Sequence, residues 1–361
     1  MLLGGSSWRV LAAVALLLVS ALVATAFVSA RYHREKTHLG QIYYERGRAL
    51  EKEGKLDSAI EEYRKALIFS PDTPEYRVSF ASALLQAGRL DEAEAHVQLL
   101  LQEDPTNGEL NLLLGRIAAR RGQLNKAMEY YHRAVYEYWP PQRVGERKEA
   151  RIELINMLAH SGRRAELIAE LMTLYANFPS DLNLHAWIGF NLLDHGATSE
   201  ATQVFRQLVR VSPRNPEAHR GLAQAYFASG DYISARHEFE RALRLNPKDT
   251  ASANYLKLTN TVVDLDPQLT GIRETERLRR AQNLLRRVVN DISSCADPAT
   301  AANNLADAQK LLASKPANTE DAAIEMQRQA VTLWSQRNRW CPGSPTADGA
   351  LSTVLARISS E

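Results

Sequence analysis

The chain has 361 residues, of which 45% are hydrophobic and 24% are charged, so most of it is expected to fold without a long disordered tail. Lysine and arginine total 44 against 42 aspartates and glutamates, and a net charge of +2 gives no general attraction to nucleic acid. Two cysteines exclude a disulfide-dense scaffold and a four-cysteine zinc site. No cofactor, metal or nucleic-acid partner is therefore expected.

The first predicted element is a membrane-crossing helix over residues 10–30, which contain neither a charge nor a proline. As a helix this segment spans about 31 Å, the thickness of a bilayer core. It is apolar on all sides, whereas a buried core helix normally keeps a polar face. We predict an uncleaved signal anchor within 1–39. The alternative is a secretory signal peptide that begins at Arg9 and is cleaved after the small residues 28–30.

Two signals disagree about the side of the membrane on which the body lies. Arg31, Arg34 and Lys36 follow the apolar run, and the positive-inside rule alone would keep the body in the cytoplasm. A disulfide between Cys295 and Cys341 would require an oxidising compartment. We expect a single-pass protein of the inner (cytoplasmic) membrane with a periplasmic or other extracytoplasmic body.

One regular spacing of glycines dominates the middle of the chain. Five of the six glycines that carry it have a proline 17 positions later. A small residue seven positions earlier and an alanine five positions later also accompany five of the six, although not the same five. Small residues allow two helices to cross closely, glycine supplies a positive φ between them, and proline ends the second helix. The glycines are at positions 54, 88, 122, 162, 196 and 230.

This pattern resembles the tetratricopeptide repeat, a helix–turn–helix unit of about 34 residues. The best single match is GLAQAYFASGDYISARHEFERALRLNP, residues 221–247. The fourth unit is degenerate, because Ile155 and Leu167 replace its small residue and its alanine, and it follows an insertion at 142–147. The six units together cover 40–249, and their limits are 40–73, 74–107, 108–141, 148–181, 182–215 and 216–249.

The resemblance implies an all-α fold, a right-handed α-solenoid whose concave groove is lined by the first helix of each unit. The family binds peptides or protein segments in such grooves and has no chemistry of its own, so an enzyme is not expected. Arginines beside exposed aromatics suit an extended or acidic peptide. Ordinary helix-surface side chains without a ligand are the alternative. By the family's groove positions, the candidate residues are Tyr44, Arg48, Arg116, Arg120, Asn156, His160, Phe190, Arg220, Gln224 and Phe227.

The repeat pattern ends at residue 249. A solvating helix over 250–265 is predicted to cap the solenoid, and Asp266-Pro267 breaks it. A small antiparallel bundle is predicted over 266–361, because four segments carry apolar residues at steps of three and four. The first segment is rich in arginine, for which a solvated face is favoured over a site for anionic lipid or an acidic partner. The four segments are 274–292, 298–313, 320–338 and 346–358.

Cys295 and Cys341 lie at the ends of the first and third predicted bundle helices. In an up-down-up arrangement both ends lie on the same side, so a disulfide can form if the Cα atoms come within about 7 Å. Two unrelated buried thiols are the alternative.

We therefore predict a membrane-anchored scaffold or adaptor that binds a protein partner without catalysis. Its architecture resembles that of bacterial inner-membrane proteins that have one N-terminal span and a repeat body. Two alternatives stay open at this point. One is a permanent structural or assembly subunit of a large membrane complex, and the other is a cytoplasm-facing regulator of envelope assembly.

Overall fold

The computed structural model describes residues 5–139, 143–315, 318–343 and 349–360. Within these ranges the regular structure consists of seventeen α-helices, which confirms the all-α fold. Gln142, where the predicted insertion begins, and 346–348, the predicted start of the last helix, lie outside the described residues. The helices are α1 (Gly5–Lys52), α2 (Leu56–Phe69), α3 (Pro74–Gln86), α4 (Leu90–Glu103), α5 (Gly108–Arg120), α6 (Leu124–Tyr136), α7 (Val144–His160), α8 (Arg164–Asn177), α9 (Leu182–Asp194), α10 (Thr198–Val211), α11 (Pro216–Ala228), α12 (Tyr232–Leu245), α13 (Thr250–Leu265), α14 (Glu274–Cys295), α15 (Pro298–Ala313), α16 (Thr319–Trp340) and α17 (Gly349–Ser360).

The chain forms two compact units, one ending at Leu167 and the other beginning at Ile168. This division falls inside the degenerate fourth repeat and differs from the domain limits predicted at 249 and 265. Those limits stay predictions. In the first unit α1 packs on α2, α3 on α4, and α5 on α6. In the second unit α9 packs on α10 and α11 on α12.

Each pair of repeat helices is joined by three residues that include one of the repeat glycines. These six glycines have φ between 71° and 82°, as predicted from their spacing. A Cβ built on any of them would meet no atom within 4 Å. The backbone conformation therefore requires glycine here, since a left-handed φ costs other residues about 1–2 kcal/mol.

The small residues on the first helices allow close helix crossing. A Cβ on Gly47 would lie 2.7 Å from the Tyr63 ring, and one on Gly189 would lie 2.5 Å from the Phe205 ring. Alanines at the matching position of the second helices are fully buried. In the fourth repeat the larger Ile155 of the first helix and Leu167 of the second are fully buried at these two positions. At the regular crossings a bulky side chain of one helix therefore packs against a small residue of the other. The degenerate unit packs aliphatic side chains at these positions instead.

Two buried histidines, at the same position of neighbouring repeats, tie their helices to the preceding turns. The Nε2 atom of His185 lies 3.0 Å from the Phe178 carbonyl oxygen. In the next repeat, Nε2 of His219 lies 3.0 Å from the Pro213 carbonyl oxygen. The side chains are 4% and 1% exposed, so both histidines act as structural joints within the repeats rather than as surface ligands.

The last helices, from α12 to α17, share one hydrophobic cluster. Helix α13, which was predicted to cap the solenoid, packs against α12, α14 and α17 and buries Val262, Val263 and Leu265. The buried Arg280 of α14 donates hydrogen bonds to the Val263 and Asp266 carbonyl oxygens at 2.5 and 3.3 Å. These bonds satisfy carbonyl groups at the C-terminal end of α13 that have no partner within the helix.

A disulfide joins α14 to the residue that follows α16. The Cα atoms of Cys295 and Cys341 are 5.4 Å apart. Beside it, the Arg337 guanidinium donates to the Asp291 carboxylate at 2.5 Å, and both side chains are largely buried. Farther along the bundle, Arg357 of α17 donates to Asp266, which is fully buried. Covalent and ionic contacts thus connect distant parts of the sequence here.

The N-terminal helix α1 is, by length and composition, able to cross a membrane. Its apolar part is 0% buried within the protein. From Gly40 onward the same helix packs on α2, and a Cβ on Gly40 would clash with Ser70. One continuous helix therefore carries both the apolar run and the first helix of the first repeat.

Candidate functional site

The predicted groove residues of the first compact unit begin with Tyr44 and Arg48 on α1. The Tyr44 ring stacks on Tyr76 of α3 with centroids 4.4 Å apart, and its hydroxyl lies 3.2 Å from the Ser79 hydroxyl. The Arg48 guanidinium lies 5.8 Å from the centre of the Tyr44 ring and 3.5 Å from the Glu45 carboxylate. We name Tyr44, Arg48, Tyr76 and Ser79 the Tyr44 cluster. It combines two half-buried aromatic rings with one exposed cation.

Arg116 of α5 is engaged with the next repeat. Its guanidinium donates to both carboxylate oxygens of Glu153 on α7, with the shortest distance 2.6 Å. Burial favours a lower pKa for this guanidinium, but the hydrogen bonds and charge of Glu153 outweigh that effect and raise the pKa. Burial and the same carboxylate raise the pKa of the neighbouring Tyr131 phenol. The Arg116 guanidinium therefore already links two neighbouring repeats within the protein.

Arg120, at the end of α5, donates a hydrogen bond of 2.6 Å to the Leu85 carbonyl oxygen at the end of α3. One repeat earlier Gln86 contacts the corresponding residue, but there its amide donates to the side-chain carboxylate of Glu51 at 2.7 Å. The Arg120 side chain is exposed on its other side. It thus caps a helix of the preceding repeat and still presents positive charge to solvent.

Asn156 and His160 of α7 line a recess of about 380 Å³ in the first unit. The His160 ring nitrogen Nδ1 lies 2.6 Å from the Asn156 carbonyl oxygen of its own helix. Both side chains are exposed. The recess is large enough for one apolar side chain of a bound segment. The other lining residues are Leu124, Tyr131, Glu153, Met157 and Ser161.

In the second compact unit the predicted residues Phe190 and Arg220 lie together. The Arg220 guanidinium lies 5.2 Å from the centre of the Phe190 ring. It also approaches Glu217 at 3.2 Å and Asp249 at 3.8 Å. Burial works against ionisation of Asp249, but hydrogen bonds from Ser252 and the charge of Arg220 lower its pKa. This arginine is therefore partly neutralised.

Gln224 and Phe227 occupy the same helix, α11. The Gln224 side chain is half-buried. Phe227 packs edge-on against Tyr232 and Tyr255, with ring centroids 5.2 and 6.0 Å apart. Phe227 also packs against the hydrophobic cluster of the last helices. It contributes to internal packing as well as to the predicted groove position.

The arginines of α14 have separate surroundings rather than a common surface. Arg279 and Arg280 both donate to Glu276, and these hydrogen bonds lower the pKa of Glu276 to about 2. Arg286 donates to Asn283 on the same helix at 3.0 Å. Arg280 is buried, as described above. The contacts of Arg279 and Arg286 favour the solvated-face interpretation, from which the buried Arg280 departs.

Sequence reasoning missed the partners that face the groove positions. Tyr76, Ser79 and Glu153 belong to the first helix of the following repeat, at its third and sixth positions. Each meets a groove residue of the preceding repeat. The spacing of the repeats could have identified these contacts. The contacting residues are 35 positions apart in the sequence at the first junction, and 37 apart at the junction that contains the insertion.

Among the described residues, no group of three or more His, Cys, Asp and Glu side chains is arranged to hold a metal ion.

A family model described as the tetratricopeptide repeat matches residues 50–101, 84–138 and 192–258. The putative cellulose synthase operon protein C of Escherichia coli O157:H7 is 26% identical over 210 residues, which are 57% of this chain and 18% of that protein. The human protein O-mannosyl-transferase TMTC1 is 26% identical over 240 residues, 66% of this chain and 22% of that protein. The chain thus spans about a fifth of the length of these two relatives.

Among solved structures, the chain is similar to YrrB, described as a tetratricopeptide repeat protein with an unusual peptide-binding site. The sequence identity is 15%, and the match covers 54% of this chain and 97% of that one with a TM-score of 0.42.

Proposed function

We propose that this chain, which carries tetratricopeptide repeats, is a membrane-anchored scaffold that binds an extended acidic segment of a protein partner and does not catalyse a reaction. Repeats of this family generally support protein–protein interaction. The observation that carries the proposal is the Tyr44 cluster. It offers aromatic surface and a cation side by side on adjacent first helices.

The chemistry of the Tyr44 cluster suits an acidic peptide. The ion pair between Arg48 and Glu45 has a single contact of 3.5 Å, and the two side chains are 48% and 56% exposed. Such a pair contributes little in water, so a carboxylate of a partner can replace Glu45 at low cost. Aromatic and arginine side chains are also the residues that most often dominate binding energy at protein interfaces.

Fluorescence anisotropy tests this proposal with short synthetic peptides that alternate acidic and aromatic residues. We expect binding that weakens with added salt, and a loss of about tenfold in affinity for Arg48→Glu, a difference of about 1.4 kcal/mol. Arg46→Glu is the matched control, because it makes the same charge change two positions away on α1, on a different face. Equal effects of the two variants, or equal binding of lysine-containing peptides, would contradict a groove site.

We further propose that α1 anchors the protein in the inner membrane by a single span, with the body on the extracytoplasmic side. The exposed apolar run of α1 supports the anchor, and the disulfide between Cys295 and Cys341 supports an oxidising compartment. Arg31, Arg34 and Lys36 oppose this orientation by the positive-inside rule. A covalent bond that persists only under oxidation is the stronger of the two arguments.

Thiol labelling of intact cells with a membrane-impermeant reagent tests the orientation. Labelling of Cys295 and Cys341 only after reduction would support an extracytoplasmic body with a disulfide. Labelling in lysed cells alone, without reduction, would place the body in the cytoplasm and exclude the disulfide.

Co-purification separates the adaptor from the alternative. A partner that stays bound in fixed stoichiometry through high salt would favour a permanent subunit of a membrane complex over an adaptor.

A further inference from the structure

The way α1 enters the first repeat constrains where a partner of the Tyr44 cluster can come from. All described side chains of residues 12–30 are exposed, whereas Gly40 is buried against α2. Between them lie residues 31–39, which are helical and contain neither glycine nor proline. In this segment the Thr37 hydroxyl donates to the His33 carbonyl oxygen of the preceding turn. Nothing in this segment provides a hinge.

Helix geometry converts this continuity into distances. Nine residues at 1.5 Å each separate the apolar run from Gly40 by about 14 Å. The polar layer of a bilayer is about 5–8 Å thick on each side. Arg31, Arg34 and Lys36 therefore lie within or next to the headgroups, and the first repeat begins just outside them. Tyr44 stands about 21 Å from the end of the apolar run along the helix.

We propose that the partner of the Tyr44 cluster is the juxtamembrane segment of an integral membrane protein, with α1 as the rigid spacer that sets its height. This inference rests on the proposed function and adds the class of partner. An extended chain covers about 3.3–3.6 Å per residue, so about six residues beyond a membrane span reach Tyr44. The lipid headgroups themselves are too far away to occupy the cluster.

Anchoring both partners in one bilayer strengthens a weak contact. The Tyr44 cluster offers one exposed cation and two half-buried rings, which is a small surface for a freely diffusing ligand. A shared membrane raises the effective concentration of the second binding event, and gains of about 100-fold or more are typical when the linker matches the span. The charge of Arg48 adds the requirement for an acidic residue in the segment, close to its membrane span.

The test uses the full-length protein in lipid vesicles with a photo-crosslinking residue at Gln41, one turn before Tyr44. The probe is a synthetic leucine-rich membrane-spanning peptide with an eight-residue acidic and aromatic tail, which can extend about 26–29 Å. In one variant, eleven helical residues are inserted between Thr37 and His38. Three turns are added with little rotation, and the repeat body rises by about 16 Å. Energy transfer from a label at Gln41 to headgroup acceptors verifies the new height.

We expect the insertion to lower the crosslinking yield of the eight-residue tail on the order of tenfold, and a tail five residues longer to restore it. A flexible glycine–serine insertion of equal length is the control, because it should leave the Tyr44 cluster within reach of the eight-residue tail. A crosslinking yield that does not change with the height of the repeat body above the bilayer would overturn the proposal.

The soluble tail, without its membrane span, separates the two levels of inference. If this peptide binds the original and inserted proteins equally, and height has no effect on the spanning peptide, the scaffold function stands and the membrane-partner assignment fails. If neither form of the tail binds or crosslinks, the proposed function fails and takes the assignment with it.

Discussion

The repeats and the C-terminal bundle are both built from α-helices, but different contacts hold them together. In the repeats, side chains meet partners about one unit away, as in the bond from Arg120 to the Leu85 carbonyl, 35 residues apart. In the bundle, Asp266 pairs with Arg357 across 91 residues, and a disulfide closes 46. Repeat stability is thus a sum of neighbour terms, whereas the bundle closes as one piece.

This difference has a consequence for how each region fails. A lesion in one repeat should weaken that repeat and its two neighbours. A lesion in the bundle should weaken all of its helices together, since α13, α14, α16 and α17 contribute to one hydrophobic cluster. Hydrogen exchange, read helix by helix, distinguishes these patterns because it reports local opening.

The largest effect is expected for Phe205→Ala on α10. The ring is fully buried, and it fills the space left by Gly189 and Gly221 on two different first helices. Truncating such a ring costs about 3–5 kcal/mol. Hydrogen exchange should accelerate in α9, α10 and α11. Val211→Ala, at a 57% exposed site of the same helix, should change little. An equal loss of hydrogen-exchange protection throughout the bundle would contradict the expected difference between the repeats and the bundle.

Removing the disulfide comes next. Cys295→Ser combined with Cys341→Ser should cost about 2–5 kcal/mol, because the bond no longer restricts the unfolded chain. The loss should appear in α14 and α16 and leave the repeats protected. Reducing agent should destabilise the original protein but not the double variant. If reduction has no effect on the original protein, the two cysteines are not bonded.

A smaller effect is expected at a turn glycine. Gly196→Ala forces a side chain into a φ of 71° and should cost about 1–2 kcal/mol. Gly145→Ala is the matched control, since Gly145 lies in α7 with open space around a Cβ and without a positive φ. Denaturant titration of both variants measures the difference. A neutral Gly196→Ala would mean that the turn does not require glycine.

The smallest effect concerns pH and Glu276. Because Arg279 and Arg280 lower the pKa of Glu276 from its ordinary 4.5 to about 2, ionised Glu276 favours the folded state. The original protein should exceed Glu276→Gln in free energy of unfolding above about pH 5. That advantage should shrink as the pH falls from about 4.5 toward 2. Denaturant titrations at several pH values measure it, and a constant difference would exclude this carboxylate as the cause.

The repeats were predictable because their defining residues act locally. The glycine at 88 or 230 must have a positive φ whatever surrounds it, and Gly47 must be small because Tyr63 crosses there. Periodicity also predicted the bundle helices, and α15 has the limits expected. These features depend only on the backbone conformation and on contact with one neighbouring helix. Both can be inferred from the spacing of residues along the sequence.

Other features depend on where distant segments pack, and the sequence does not encode that in a local pattern. Arg280 was expected to be one of several solvated arginines, but it lies under the end of α13. Phe227 was assigned to the groove by position alone, yet it also packs on Tyr232 and Tyr255. The groove residues stay predictions. Arg116 shows why position alone is insufficient, because Glu153 already occupies its guanidinium.

The paired joints of His185 and His219 bear on how such a chain changes length during evolution. Each histidine reaches back to the carbonyl of its own preceding turn, and the two contacts are equal at 3.0 Å. Excising residues 185–218 would place His219 seven residues after Phe178, the separation that His185 has from this acceptor, whereas His219 now lies six residues after Pro213. Loss or duplication of one such segment therefore keeps a histidine beside a carbonyl acceptor of the preceding turn. The number of units can then change during evolution while this contact between neighbouring units is retained.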